Sequence, residues 1–126
     1  MVFILFFIDL VSKEIFKISY FDSKFLALHY VKNSGISFGL FSGFNILFLI
    51  LTILIIGVIL YFYNKEKSLQ LGFNFILAGA LGNGVNRVLE GHVIDFIDFK
   101  FWPVFNFADI FIVVGVVILI FRLYKK

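Results

Sequence analysis

Four apolar runs separated by short polar stretches give the chain its pattern. Residues 44–63, FNILFLILTILIIGVILYFY, carry no charge over twenty positions, which matches the roughly 20 residues needed to cross a hydrocarbon core. Residues 68–88 and 104–122 predict two further helices with few charges, and residues 1–16 predict a first. The pattern therefore predicts an all-α polytopic membrane protein, with four transmembrane helices in a single integral membrane domain over residues 1–126.

The first of these helices is the least regular. Residues 1–10, MVFILFFIDL, give only ten largely apolar positions and already contain Asp9. Three explanations fit: the helix continues into VSKEIF, it tilts and thins the bilayer locally, or the natural start lies upstream.

Between the first two apolar runs, residues 20–41 mix aromatic and β-branched side chains with polar ones. This rough alternation predicts strands or a hairpin, and the residues NSG at 33–35 predict a turn. We therefore expect a small extracytoplasmic β element lying on the membrane.

The third apolar run combines small residues with polar ones at its end. Ala78 and Gly82, like Ala80 and Gly84, are four positions apart, a spacing that lets helices in lipid approach closely. The small residues do not account for three polar side chains that follow them: Asn83, Asn86 and Arg87. Two interpretations remain open at this point, an interior polar site and simple anchoring at the membrane interface.

Three aspartates follow within fifteen positions, in GHVIDFIDFKFWPVFNFADIF at residues 91–111. Asp109 lies three positions after Asn106, as in a helix capping box, which is a structural reason for it to be acidic. Asp95 and Asp98 have only apolar neighbours in VIDFIDF. Two carboxylates close together in a poorly solvated site do not both ionise easily, so such a pair can act as a general acid and a general base.

The composition narrows the classes of function. The chain is 62% hydrophobic, contains 20 Phe and has a mean hydropathy of +1.07. Its eleven Lys and Arg are spread out, which argues against nucleic-acid binding. With no cysteine and only two histidines, it offers no thiolate chemistry and no histidine cluster for a metal. A Ser/Lys pair is also disfavoured, since the two SK pairs are adjacent residues that cannot face each other.

Basic residues near the membrane ends indicate the orientation. One side holds Lys65, Lys67, Arg122, Lys125 and Lys126. The other side holds Lys13, Lys17, Lys24 and Lys32 over a longer stretch. We therefore expect both termini to be cytoplasmic, with residues 12–43 and 86–104 on the outer face.

Five segments, in order along nearly the whole chain, resemble those of bacterial lipoprotein signal peptidases, also called signal peptidase II. They are DLVSK at 9–13, NSGISFGLF at 33–41, GALGNGVNR at 79–87, GHVIDFIDF at 91–99 and FNFAD at 105–109. The resemblance implies an aspartic endopeptidase of the bacterial cytoplasmic (inner) membrane. It would remove signal peptides from diacylglyceryl-modified prolipoproteins by cutting before the lipidated cysteine. Its partners would be that substrate and membrane lipid, and it would act as a monomer without a cofactor or metal.

The resemblance also implies roles for individual residues. Asp95 and Asp109 match the catalytic pair. The positions that match substrate-binding or supporting residues are Asp9, Lys13, Asn33, Gly35, Asn83, Arg87, Asp98 and Asn106. Asn86 departs from the family, which usually has Asp there, and we expect activity to survive with altered local packing.

A rival interpretation belongs to another class of protein. Asp9, Asp95 and Asp109 could form a relay in a small proton- or ion-conducting membrane protein. The position of Asp95 outside the predicted spans argues against a single pore axis. Cleavage of a prolipoprotein in detergent distinguishes the two, because a conductor would not perform it.

Overall fold

The computed structural model describes residues 1–35 and 43–126 and is mostly helical, with one small sheet. In chain order the elements are α1 (Val2–Ile18), β1 (Phe21–Asp22), β2 (Ala27–Asn33), α2 (Asn45–Tyr63), α3 (Gln70–Leu89), β3 (Val93–Asp98) and α4 (Phe107–Tyr124). A short 3-10 helix, Lys67–Leu69, precedes α3. The second family-like segment is described only in part, because its residues from Ile36 onward lie outside the described residues.

Helix α1 continues through VSKEIF to Ile18, in agreement with the first of the three explanations for its short apolar run. Its buried residues are Asp9, Ser12 and Lys13, which share one helix face, while Phe3 and Phe7 are largely exposed. A helix with its polar side chains inside and its apolar ones outside is suited to an apolar solvent.

The sheet is antiparallel in the order β1-β2-β3. β1 and β2 form the predicted hairpin, with Asp22 opposite Ala27. The third strand, Val93–Asp98, was not predicted, because the sequence pattern assigned no strand between the helices at 68–88 and 104–122. It pairs with β2, with Asn33 opposite Val93 and Ala27 opposite Asp98. Residues 93–97 are all buried, so β3 lacks the alternation of a strand with one wet face.

Helix α3 lies at the centre and contacts each of the other three helices. Small residues make this possible. A Cβ on Gly115 of α4 would lie 2.7 Å from the carbonyl oxygen of Gly72 on α3, and a Cβ on Gly82 would collide with the carboxylate of Asp9 on α1. The predicted close approach at Gly82 is confirmed, and Gly84 likewise faces Thr52 of α2.

Two helices in the described part of the chain are long and apolar enough to cross a membrane, Asn45–Tyr63 and Phe107–Tyr124. Ile59 is the one residue of α2 that is buried, so most of this apolar helix faces outward, as expected in lipid. The helices that correspond to the predicted spans 1–16 and 68–88 do not combine this length with this hydropathy. Helix α1 has 17 residues and four charged side chains, and α3 carries amide side chains along its length.

The two chain termini lie at one end of the helical bundle, and the sheet lies at the other end. Lys126 forms an ion pair with Glu66 at 2.6 Å, which brings the end of α4 beside the loop that precedes α3. Val2 packs against the apolar cluster around Leu69 and Phe73 at this same end. The sheet lies at the opposite end, beyond Ile18 and Leu89. Both termini therefore lie at one end, and the predicted site residues lie toward the other.

Candidate active site

The start of α4 brings the first two site residues together. Asn106 precedes the helix, its side-chain Oδ1 accepts the Asp109 N–H at 2.9 Å, and the Asp109 carboxylate accepts the Asn106 N–H at 3.1 Å. The predicted capping box is thus confirmed. Besides capping the start of the helix, the capping box fixes the position of the Asp109 side chain in the first turn of α4.

The Asn106 side chain connects this cap to the sheet. Its amide nitrogen lies 2.8 Å from Asp95 Oδ1, 3.0 Å from Asn83 Oδ1 and 3.1 Å from the carbonyl of Ile94. Asn106 is fully buried, and its two amide hydrogens face three acceptors. One side chain therefore contacts α3, β3 and the cap of α4.

Asp95 reaches the same place from β3. Val31 of β2 is its partner in the sheet, so Asn33, two positions further along, lies diagonally across on the same face. Asn33 Nδ2 donates to Asp95 Oδ2 at 3.0 Å, and the Gly35 N–H in turn donates to Asn33 Oδ1 at 3.0 Å. Strand register therefore decides which side chains surround this carboxylate.

Asn83 links Asp109 to a buried ion pair on α1. Its Nδ2 donates to Asp109 Oδ1 at 2.9 Å, and its Oδ1 accepts from Lys13 Nζ at 3.1 Å. Lys13 lies 2.6 Å from Asp9 Oδ2, and Asp9 Oδ1 accepts the Ala108 N–H at 2.8 Å. Because Lys13 only donates, it holds Asn83 with its amide nitrogen directed at Asp109.

Both aspartates line a cavity of about 310 Å³ at the sheet end of the helices. Arg87 and Gly35 line the same cavity, and Arg87 Nη2 donates to the Gly35 carbonyl at 3.3 Å. The Arg87 guanidinium also lies 5.6 Å from the centre of the Phe48 ring. Its buried Nε has no hydrogen-bond acceptor within residues 1–35 and 43–126. Of the two interpretations of the polar end of α3, the structure favours the interior polar site.

Burial of the Asp95 carboxyl, together with the negative charge of Asp109, raises its pKa from 3.8 to about 7. The hydrogen bonds from Asn33 and Asn106 act in the opposite direction but do not compensate. Asp95 is 2% exposed. A carboxyl in this state exchanges a proton near neutral pH, which is the property required of a general acid or base.

Five of the polar residues that the sequence suggested for the site do not line the cavity: Asp9, Lys13, Asn86, Asp98 and Asn106. Asp98 is at the far end of β3, where it pairs with His29 Nε2 at 3.0 Å and accepts the Lys100 N–H at 2.7 Å. The hydrogen bond from His29 lowers the pKa of Asp98, opposite to the shift at Asp95. Asn86 is buried beside the site, and its Oδ1 accepts the Ile94 N–H at 3.3 Å. It ties α3 to β3 one residue before Asp95.

The apolar wall of the cavity was not predicted from the sequence. It is formed mainly by α2, through Phe48, Leu51, Thr52 and Ile55, with Ile112 from α4. Thr52 was the one sequence signal for this wall, because it is the only serine or threonine in the apolar run 44–63. Nothing in the sequence distinguished its apolar neighbours from those that face outward.

Fold and site together define a helical, membrane-type protein with one buried and one partly buried carboxylate on the same cavity. The chain belongs to the signal peptidase II family, whose family model, described as signal peptidase (SPase) II, matches residues 1–125. It is therefore a peptidase by family, as the sequence resemblance predicted.

Individual relatives agree with this assignment. The chain is 39% identical over 102 residues to a lipoprotein signal peptidase of Halothermothrix orenii, covering 79% of this chain and 70% of that protein. It is 46% identical over 102 residues to one of Caldanaerobacter subterraneus, covering 75% and 68%. A solved bacterial membrane enzyme superimposes with a TM-score of 0.89 at 33% identity, covering 98% of this chain and 85% of that one.

Proposed function

We propose that this protein is an aspartic endopeptidase that removes signal peptides from prolipoproteins, cutting immediately before a diacylglyceryl-modified cysteine. The observation that carries the proposal is the meeting of Asp95 and Asp109 on one cavity, with Asn106 hydrogen-bonded to both. The substrate class follows from the lipoprotein signal peptidases that the chain resembles.

The two carboxyls share one proton at neutral pH, because a second charge in the same buried site is costly. The ionised carboxylate takes a proton from a water molecule, whose oxygen attacks the scissile carbonyl carbon. The protonated carboxyl polarises the carbonyl oxygen and passes its proton to the leaving amine as the C–N bond breaks. The carboxylate that acted as the base gains a proton and the carboxyl that acted as the acid loses one, so the pair again holds a single proton, now on the other aspartate.

The surrounding amides hold both carboxyls in position for this reaction. Each of the four carboxylate oxygens accepts one N–H: Asp95 from Asn33 and Asn106, and Asp109 from Asn83 and the Asn106 backbone. Neutral donors stabilise a carboxylate without adding a full positive charge, so a carboxyl can still take up a proton. Asp9 and Lys13 act through Asn83 and are positioning residues.

The cavity has a polar wall and an apolar wall, which suit the two parts of the substrate. Arg87 and Gly35 lie on the polar side, where the Arg87 guanidinium can donate to a backbone carbonyl of the substrate. Phe48, Leu51 and Ile55 of α2 form the apolar side, which suits the lipid chains or the signal helix. Asp9, a member of the alternative proton relay, is instead ion-paired with Lys13 away from the cavity.

We further propose that all four helices cross the bacterial cytoplasmic membrane, with both termini cytoplasmic and the cavity at the outer face. The outward apolar surfaces of α1 and α2 support this placement. So do the exposed aromatic side chains at the sheet end, including Phe101 and Trp102, since aromatic residues concentrate at membrane interfaces.

The test is cleavage by the purified protein of a diacylated prolipoprotein and of the same chain without the lipid. We expect only the diacylated form to be cut, because the lipid holds the cysteine at the depth of the aspartates. Mass spectrometry of the products locates the cut. Equal cleavage of both forms would refute the lipid requirement, and cleavage of neither would refute the proposed activity.

A further inference from the structure

A second groove lies at the opposite end of the helices from the aspartates. It runs between α3 and α4, encloses about 710 Å³, and has Leu71, Val117 and Phe121 along its floor. These three side chains are 42%, 59% and 57% exposed. Neighbouring helices therefore leave this apolar surface uncovered on the outside of the bundle.

Cationic side chains surround the terminal rim of this groove. Arg122, Lys125 and Lys126 lie along it from α4, and Ser68 adds a hydroxyl from the start of α3. Lys126 is already paired with Glu66. Arg122 and Lys125 have no carboxylate partner among the described residues, so the rim carries uncompensated positive charge.

We propose that this groove binds an anionic glycerophospholipid, with the headgroup phosphate at Arg122, Lys125 and Ser68 and an acyl chain along the floor. The cationic rim of the groove matches the anionic headgroup of such a lipid, and the apolar floor matches its acyl chain. Basic pockets between transmembrane helices bind anionic headgroups in this way, and a guanidinium is well suited to a phosphate because it donates two parallel hydrogen bonds.

The geometry favours a lipid over a free phosphate ion or a soluble partner. Leu71 and Val117 continue the groove away from the cations into the apolar surface of the bundle, where only a hydrocarbon chain is a favourable occupant. Lys125 Nζ lies 4.4 Å from the Phe121 ring centre, so charged and apolar parts of the groove meet directly. The proposal requires that the protein reside in a membrane but does not depend on the peptidase mechanism.

The experiment compares lipids on the detergent-purified full chain. Phosphatidylglycerol is titrated while the melting temperature is recorded, with phosphatidylcholine and inorganic phosphate as parallel series. We expect only phosphatidylglycerol to raise the melting temperature. In Arg122→Gln/Lys125→Gln the titration midpoint should rise about 25-fold, at roughly fivefold for each cation removed, whereas Arg122→Lys should retain most of the binding.

The matched control is Lys24→Gln/Lys32→Gln, which removes two exposed lysines at the other end of the molecule. It should titrate like the wild type. An equal response to phosphatidylcholine, or equal midpoints in the rim variant and the wild type, would overturn the proposal. A full response to inorganic phosphate would mean that an anion suffices. Self-association of the wild type that the rim variant lacks would assign the groove to a second copy of the chain.

Discussion

Asp95→Asn should abolish cleavage while stabilising the folded protein at neutral pH. Activity should fall at least about 100-fold, because an amide can neither accept a proton from water nor deliver one to the leaving amine. The double variant with Asp109→Asn should be about equally inactive, since residues that act as a unit are not additive.

The gain in stability follows from the pKa of Asp95. Its rise from 3.8 to about 7, caused by burial and by Asp109, corresponds to about 4 kcal/mol at about 1.4 kcal/mol per pH unit. The amide avoids this cost of ionisation. Its nitrogen must, however, face a donor, either Asn33 or Asn106, and a buried donor left without an acceptor costs about 1–3 kcal/mol. The net expectation is about 1–3 kcal/mol in favour of the variant at pH 8.

The sign of the pH dependence is fixed by the same shift. Between pH 4 and pH 7 the unfolded chain releases the Asp95 proton while the folded protein retains it. The wild type therefore loses stability as pH rises through this range, and the loss is complete above pH 7. At pH 4 only the cost of the unmatched amide donor remains, so Asp95→Asn should be less stable than the wild type by about 1–3 kcal/mol. The difference should turn in favour of the variant as pH rises to 7 and then remain constant.

The assay is the melting temperature in detergent at pH 4, 6 and 8, alongside cleavage of the diacylated substrate. Asp98→Asn is the matched control, because the same exchange on the same strand replaces a carboxylate whose pKa is lowered by His29. Asp98→Asn should be less stable than the wild type above the ordinary pKa of an aspartate, because it loses a carboxylate that the folded protein stabilises in its ionised form. A variant Asp95→Asn that is less stable than the wild type at pH 8, or that retains near-normal turnover, would refute the reasoning.

Four further predictions test other parts of the site. Asp98→Asn should retain measurable cleavage, because its side chain pairs with a histidine outside the cavity; loss of all activity in a folded variant would contradict this. Asn86→Asp should be folded and active in the same assay, since a carboxylate can still accept the Ile94 N–H, whereas Asn86→Leu should lose activity as β3 shifts. In the cysteine-free chain, Ser34→Cys should react with an impermeant thiol reagent from outside intact cells and Ser68→Cys should not, and the reverse pattern would invert the proposed orientation. EDTA should leave cleavage unchanged; a loss that zinc restores would overturn the aspartic mechanism.

The sequence by itself determined the elements whose signals are local. The charge-free run 44–63 was sufficient for α2, because the length of an apolar run and the thickness of a bilayer are directly related. The cap of α4 could be predicted because Asn106 and Asp109 are three positions apart, which is the spacing of a capping box. The five family-like segments were sufficient for the family, which the match over residues 1–125 bears out.

Only the tertiary structure decided how these pieces meet. Strand β3 was missed because burial of both its faces removes the alternation that marks a strand. The pairing of Asp95 with Asn33 depends on strand register, and the contact of Asn106 with Asp95 depends on how α4 docks against the sheet. The raised pKa of Asp95 is likewise a property of its surroundings, because desolvation depends on what packs around a carboxyl and not on its neighbours in sequence.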